Sequence, residues 1–116
     1  EAALRREAIE FAIQVGPRVV ALGRPLPLKP QRAERSAIGI LPDGALVVVA
    51  SQGGVVESND LAQVMAAPPT EDGLGCRDAL MMDGGPSAQL YAAAGDFQLD
   101  LPGLYGVPIA VGFVKR

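Results

Sequence analysis

The chain has 116 residues, 49% of them apolar and 20% charged, with a formal net charge of −3 and no histidine. That length and apolar content give one domain with a modest core and argue against disorder. The acidic balance excludes a basic nucleic-acid footprint, and without histidine this chain alone builds no Ser-His-Asp triad, no Cys-His pair and no His-ligated zinc.

Fourteen glycines and ten prolines call for short elements and many turns rather than a helix bundle. Residues 2–10 read as a short helix with Leu4, Ala8 and Ile9 on one face. Phe11 to Val15 is strand-like, Gly16-Pro17 punctuates it, and Arg18 to Leu22 resumes as a strand. Residues 23–34, with Pro25, Pro27 and Pro30, read as a loop. Ser36 to Leu41 and Ala45 to Ala50 form the clearest hairpin, around Pro42-Asp43-Gly44. The second of these strands is continuously apolar, which predicts burial on both faces. Ser58-Asn59-Asp60 supplies N-cap residues for a helix over 61–66, which Pro68-Pro69 stops. A strand over 78–82 enters the corner Asp83-Gly84-Gly85-Pro86-Ser87, Ser87 to Tyr91 leads away, and a final strand is predicted from Val107 to Val114. The sum is an α+β domain over 1–116, with a mixed, largely antiparallel sheet and one or two short helices.

No apolar run is long enough to span a bilayer. The chain opens at Glu1, with neither an initiator Met nor a signal peptide, the pattern of a processed or truncated chain. Cys76 stands alone, so it forms no internal disulfide and reads as a small, half-buried hydrophobe.

Chemistry concentrates at the corner after residue 82. A carboxylate at the end of an apolar strand is held rigidly, and Gly84 and Gly85 leave the backbone bare to a ligand. Locally, Asp-Gly also makes ordinary hairpin turns, as Asp43-Gly44 does in the same chain. Arg35-Ser36 enters the sheet as either a surface arginine or a guanidinium fork for a carboxylate or phosphate. Gln14-Val15-Gly16-Pro17 reads alone as a bulge or turn. Glu57, Asn59 and Asp60 read as capping groups. Tyr91 and Tyr105 read as partly buried aromatics, with bracketing of a sugar as the functional alternative.

Taken in order, these segments resemble one family. Gln14-Val15-Gly16-Pro17-Arg18-Val19-Val20 is similar to its Q-x-G-P-x-L-V segment, and Arg35-Ser36-Ala37-Ile38-Gly39 to its R-(S/T)-A-I-G strand. Ala79-Leu80-Met81-Met82-Asp83-Gly84-Gly85-Pro86-Ser87 is similar to its A-L-x-L-D-G-G-x-S signature, with Met82 for the usual Leu. Leu61 to Met65 fits the intervening helix, and Val107 to Gly112 the closing strand. The family is that of the phosphodiester glycosidases, and the resemblance runs from Phe11 onward over the C-terminal part of the family domain.

The resemblance implies hydrolysis of a sugar-1-phosphodiester of the N-acetylglucosamine type, releasing sugar and a phosphomonoester. It implies Asp83 and Arg35 as catalytic groups. Asp83 would steer water or stabilise the sugar cation, and Arg35 would hold the phosphate through a bidentate fork. Gln14, Gly16, Ser36, Gly84, Gly85 and Ser87 would bind substrate, with an anion nest at the two glycines. No cofactor is required on this reading; a divalent cation on Asp83 is the open alternative. A periplasmic or secreted setting follows, with a sugar phosphodiester or an envelope glycan as partner. A partner chain or self-association would complete the domain. The competing expectation is a non-catalytic envelope module that binds carbohydrate or phosphosugar on the same fold.

Overall fold

The computed structural model describes residues 12–115. Its centre is a five-stranded sheet in the order β2-β1-β7-β4-β5. The strands are β1 (Arg18–Ala21), β2 (Arg24–Pro25), β4 (Ser36–Ile40), β5 (Leu46–Ala50) and β7 (Asp78–Met81). Every pairing in it is antiparallel. Beside it lie a two-residue pair, β3 (Arg32–Ala33) with β6 (Val56–Glu57), and the hairpin of β8 (Leu90–Ala94) with β9 (Phe97–Leu101). One α-helix, α1 (Ser58–Ala66), crosses one face of the sheet. The fold is α+β, as the alternation of apolar strands with a single amphipathic stretch predicts.

Helix and sheet meet through a small core. Leu61, Ala62 and Met65 line the inner face of α1 and pack on Val19, Val20, Ala37, Ala79 and Met81, with Cys76 between them. Fully burying a Met65-sized side chain stabilises the fold by about 1.5–3 kcal/mol. Gly39 lets the layers approach, since a Cβ there would stand 2.5 Å from Cys76 Sγ and 3.0 Å from Met65 Cε. Pro68 ends the helical run as predicted, and a 3₁₀ turn, Pro69–Glu71, follows. The β4–β5 hairpin forms in the expected register, Ile38 opposite Val48. Asp43 Oδ1 accepts the Ala45 N–H at 2.9 Å inside its turn, and Gly44 there has φ +90°, so this Asp-Gly pair is structural.

Several expectations are corrected. β5 is not buried on both faces; it is the edge of the sheet, with Leu46 and Val48 exposed. An apolar run marks a strand but not its place in the sheet. Among the residues read as capping groups, Glu57 is the N-cap of α1, as its capping reading has it: its Oε2 accepts the N–H groups of Asn59 at 2.8 Å and Asp60 at 3.1 Å. Ser58 and Asn59 instead bond to the preceding loop, at the Lys29 carbonyl and at both backbone groups of Leu28. The predicted strand over 107–114 is irregular and unpaired among the described residues, whereas β9 forms where no strand was expected. Residues 12–15 form no strand, and the segment leading away from Ser87 enters β8 at Leu90. Tyr91 and Tyr105 are exposed rather than partly buried, and Cys76 is fully buried rather than half-buried. The helix expected over 2–10 lies outside the described residues, as does Phe11.

Candidate active site at the end of the central strand

β7 is the middle of the five strands, and both of its neighbours run against it. The end of β7 therefore lies beside the beginnings of β1 and β4. This single fact brings three separate sequence segments together. Met81 N–H donates to the Pro17 carbonyl at 2.9 Å, and Met82 N–H to the Ser36 carbonyl at 2.8 Å. Ser36 Oγ donates to the Asp83 carbonyl at 2.6 Å. Pro17, at the end of the Gln14-to-Pro17 segment, Arg35-Ser36 and Asp83-Gly84-Gly85 thus share one end of the sheet.

At this end Asp83 is exposed, and its Oδ1 accepts the Gly84 N–H at 3.0 Å. Gly84 leans on the start of β4 so closely that a Cβ would lie 2.7 Å from the Glu34 carbonyl oxygen. Gly85, at φ +57°, donates its N–H to the same carbonyl at 2.9 Å and opens the 3₁₀ turn Gly85–Ser87. Both N–H groups of the expected nest are thus committed to protein acceptors. Ser87 lies in the turn, while Gln14 and Gly16 are exposed beside it in sequence with Pro17.

Arg35 is only 7% exposed, and its guanidinium turns inward. Nη2 donates to the Gln31 carbonyl at 2.6 Å, Nε to the Val56 carbonyl at 3.2 Å, and Nη1 approaches Met81 Sδ at 3.3 Å. Ser58 N–H reaches the same Gln31 carbonyl at 3.0 Å. Arg35 therefore fastens loop, β6 and helix start behind the strand that carries Asp83.

The sequence did not flag the segment after β9 as part of this corner. Leu104 N–H donates to the Pro86 carbonyl at 2.8 Å, Tyr105 N–H approaches it at 3.3 Å, and Gln89 Nε2 donates to the Tyr105 carbonyl at 3.2 Å. The close fit of Gly103 against Pro86 and Gln89 permits the approach. The backbone of Tyr105, an exposed residue, is thereby held at the turn that follows the Asp-Gly-Gly corner. No local signal marks this, because the contact is made by backbone across nearly twenty residues.

A hollow of about 560 Å³ lies at the opposite end of the sheet among Leu22, Pro42, Pro69 and Cys76. Burial raises the Cys76 thiol above its ordinary value, so no thiolate chemistry is set up there. No group of three or more carboxylates, cysteines or histidines that could hold a metal ion occurs among the described residues. The Asp83 corner is an open wall: an exposed carboxylate, a glycine turn whose two N–H groups are held by the protein, a serine-bridged strand end and the backbone of Tyr105.

A family model for phosphodiester glycosidases matches residues 1–114. No curated protein matches, and no solved structure matches. The chain belongs to the phosphodiester glycosidase family.

Proposed function

We propose that this member of the phosphodiester glycosidase family uses the Asp83 corner to cleave a sugar-1-phosphodiester of the N-acetylglucosamine type. The observation that carries the reading is the meeting of three distant segments at the end of β7, with Asp83 exposed between them. Cleavage of a glycosidic bond develops positive charge at the anomeric carbon, so a rigid carboxylate beside it lowers the barrier. The leaving phosphate is a better leaving group than an alkoxide, which reduces the need for an acid. Asp83 stabilises the sugar cation or steers the attacking water. Tyr105 offers a stacking face, and Ser36, Ser87, Gln14 and Gly16 line the approach.

Arg35 enters this reading mainly as a positioning residue. It holds Gln31 and Val56, and through them the loop whose Glu34 carbonyl receives Gly85. A phosphate would meet only the guanidinium donors those carbonyls leave free. Periplasmic or secreted work on an envelope glycan fits the same reading.

The test is turnover of a sugar phosphodiester by the parent protein and by Asp83→Asn and Arg35→Lys. Asp83→Asn lowers release of sugar by about 10²–10⁴-fold, the range for a positioned catalytic group. Arg35→Lys lowers kcat with little change in KM, while the melting curve shows a folded chain. Wild-type turnover in both variants overturns the assignment. Calorimetric binding of a sugar phosphate with no turnover by the parent makes the chain a binding module instead.

A further inference from the structure

We propose that Ser36 is a positioning residue for Asp83: its hydroxyl fixes the plane of the peptide between residues 83 and 84, and through that plane the carboxylate. The proposal rests on the reading of Asp83 given above and adds how the carboxylate is aimed.

The hydroxyl proton is already committed. Ser36 Oγ lies 2.6 Å from the Asp83 carbonyl oxygen. A carbonyl only accepts and a serine hydroxyl carries one hydrogen, so Ser36 is the donor. What remains for a ligand is the acceptor side of the oxygen.

This bond departs from the sheet ladder. Met81 turns its N–H to Pro17 on the β1 side, and Met82 turns its N–H to Ser36 on the β4 side. Backbone groups alternate sides along a strand, so a continued strand would aim the Asp83 carbonyl back at β1. It points to β4 instead, and among the described residues the Ser36 hydroxyl is the donor that receives it. The side chain stands in for a ladder N–H at the residue where the strand ends.

The consequence passes through one peptide unit. That unit is planar and trans, so its C=O and N–H point in opposite directions. Holding the Asp83 carbonyl on β4 therefore turns the Gly84 N–H the other way, where Asp83 Oδ1 accepts it at 3.0 Å. Among the described residues this N–H is the carboxylate's single partner. Ser36 thus sets the direction of the one donor that holds Asp83. Its own base is firm. Its carbonyl accepts Met82 N–H at 2.8 Å, its neighbours Arg35 and Ala37 are buried, and Arg35 N–H is held by Ser51 Oγ at 2.8 Å. One torsion, χ1, then places the hydroxyl.

Kinetics of the whole chain on a sugar phosphodiester test this. Ser36→Ala should lower kcat about 10–100-fold, the cost of a reacting group displaced by a fraction of an ångström to an ångström. KM should change less than about twofold, because the serine acts on the carboxylate and not on ground-state binding. Ser36→Thr keeps the hydroxyl and suits a strand, and should restore kcat to within about threefold. Adding Ser36→Ala to Asp83→Asn should lower turnover no further, since the two residues act as one unit. A rise in KM at constant kcat, a threonine variant as slow as the alanine one, or additive losses overturn the proposal. Normal turnover by Asp83→Asn overturns the catalytic reading itself. An inactive Asp83→Asn beside a fully active Ser36→Ala overturns only the positioning role. A spectrum of the amide protons gives a readout apart from activity. The Gly84 signal, deshielded by its carboxylate acceptor, should move upfield in Ser36→Ala as it does in Asp83→Ala, and should stay in place in Ser36→Thr. A Gly84 signal unmoved in Ser36→Ala overturns the proposal whatever the turnover.

Discussion

The two ends of β7 each carry an aspartate, and the fold treats them in opposite ways. Asp78 begins the strand between two arginines: Arg77 Nε lies 2.8 Å from Oδ2, and Arg18 Nη2 lies 2.5 Å from Oδ1. Asp83 follows its end, forms no ion pair among the described residues, and leans only on the N–H of Gly84. Around Asp78 the backbone is knitted, with Arg77 N–H on the Ile40 carbonyl and Gly23 N–H on that of Arg77. Around Asp83 two glycines keep the chain thin. One carboxylate has its charge answered within the protein; the other offers its charge outward. Residue type is the same in both cases, so function is decided by what the neighbouring strands bring to each end.

The largest way to break this comparison is to neutralise each aspartate in turn. Asp83→Asn should remove about 10²–10⁴-fold of turnover and move the melting midpoint little. Asp78→Asn should do the reverse, keeping turnover while losing stability. That loss is below about 1 kcal/mol, because Arg18 and Arg77 are half exposed and water screens the pairs. A result in which Asp78→Asn also loses turnover at constant stability would erase the distinction between the ends.

A second substitution sharpens it. Gly84→Ala keeps every charge but sets a Cβ 2.7 Å from the Glu34 carbonyl, against backbone that cannot swing aside. Overpacking of this kind costs about 1–3 kcal/mol. The corner should move away from β4, stretching the Gly85 to Glu34 hydrogen bond, and turnover should fall more than stability does. Denaturant melts and kinetics on the same sample check this. Gly44→Ala, in the turn that is only a turn, should cost stability through its φ of +90° and leave turnover alone.

How much of this was legible depends on how local the cause is. The β4–β5 hairpin was readable because Pro42-Asp43-Gly44 carries its own turn chemistry, and the end of α1 because proline cannot continue a helix. The Asp83 corner was readable only as one of two equivalent Asp-Gly pairs until the order of the three segments was weighed. What local sequence could not give is pairing. β5 and residues 107–114 are both apolar runs, yet among the described residues one is an edge and the other unpaired, since neighbours are chosen by register across the whole chain. The same limit hid the delivery of the Tyr105 backbone to the corner by the Pro86 carbonyl, and which of the expected capping residues, Glu57 rather than Ser58, caps the helix.

The smallest expected effect concerns acid. Asp78 is held below its ordinary value by hydrogen bonds from Arg77 and then Arg18. Glu57 loses some hydration by burial, which pushes it up, but the hydrogen bonds from Ser58, Asp60 and Asn59 outweigh this and lower it. Both groups therefore bind protons less readily folded than unfolded. Their contribution is fully present above the unfolded values near pH 4, and is lost as the pH falls through the lower folded values. Stability should decline from about pH 4.5 downward, and Asp78→Asn combined with Glu57→Gln should flatten that decline. Urea melts at pH 6, 4 and 3 read the difference directly. An acid limb as steep in the double variant as in the parent would mean that the knitted end of β7 and the helix cap are not where this chain stores its carboxylate stabilisation, and that the contrast between its two ends is one of exposure alone.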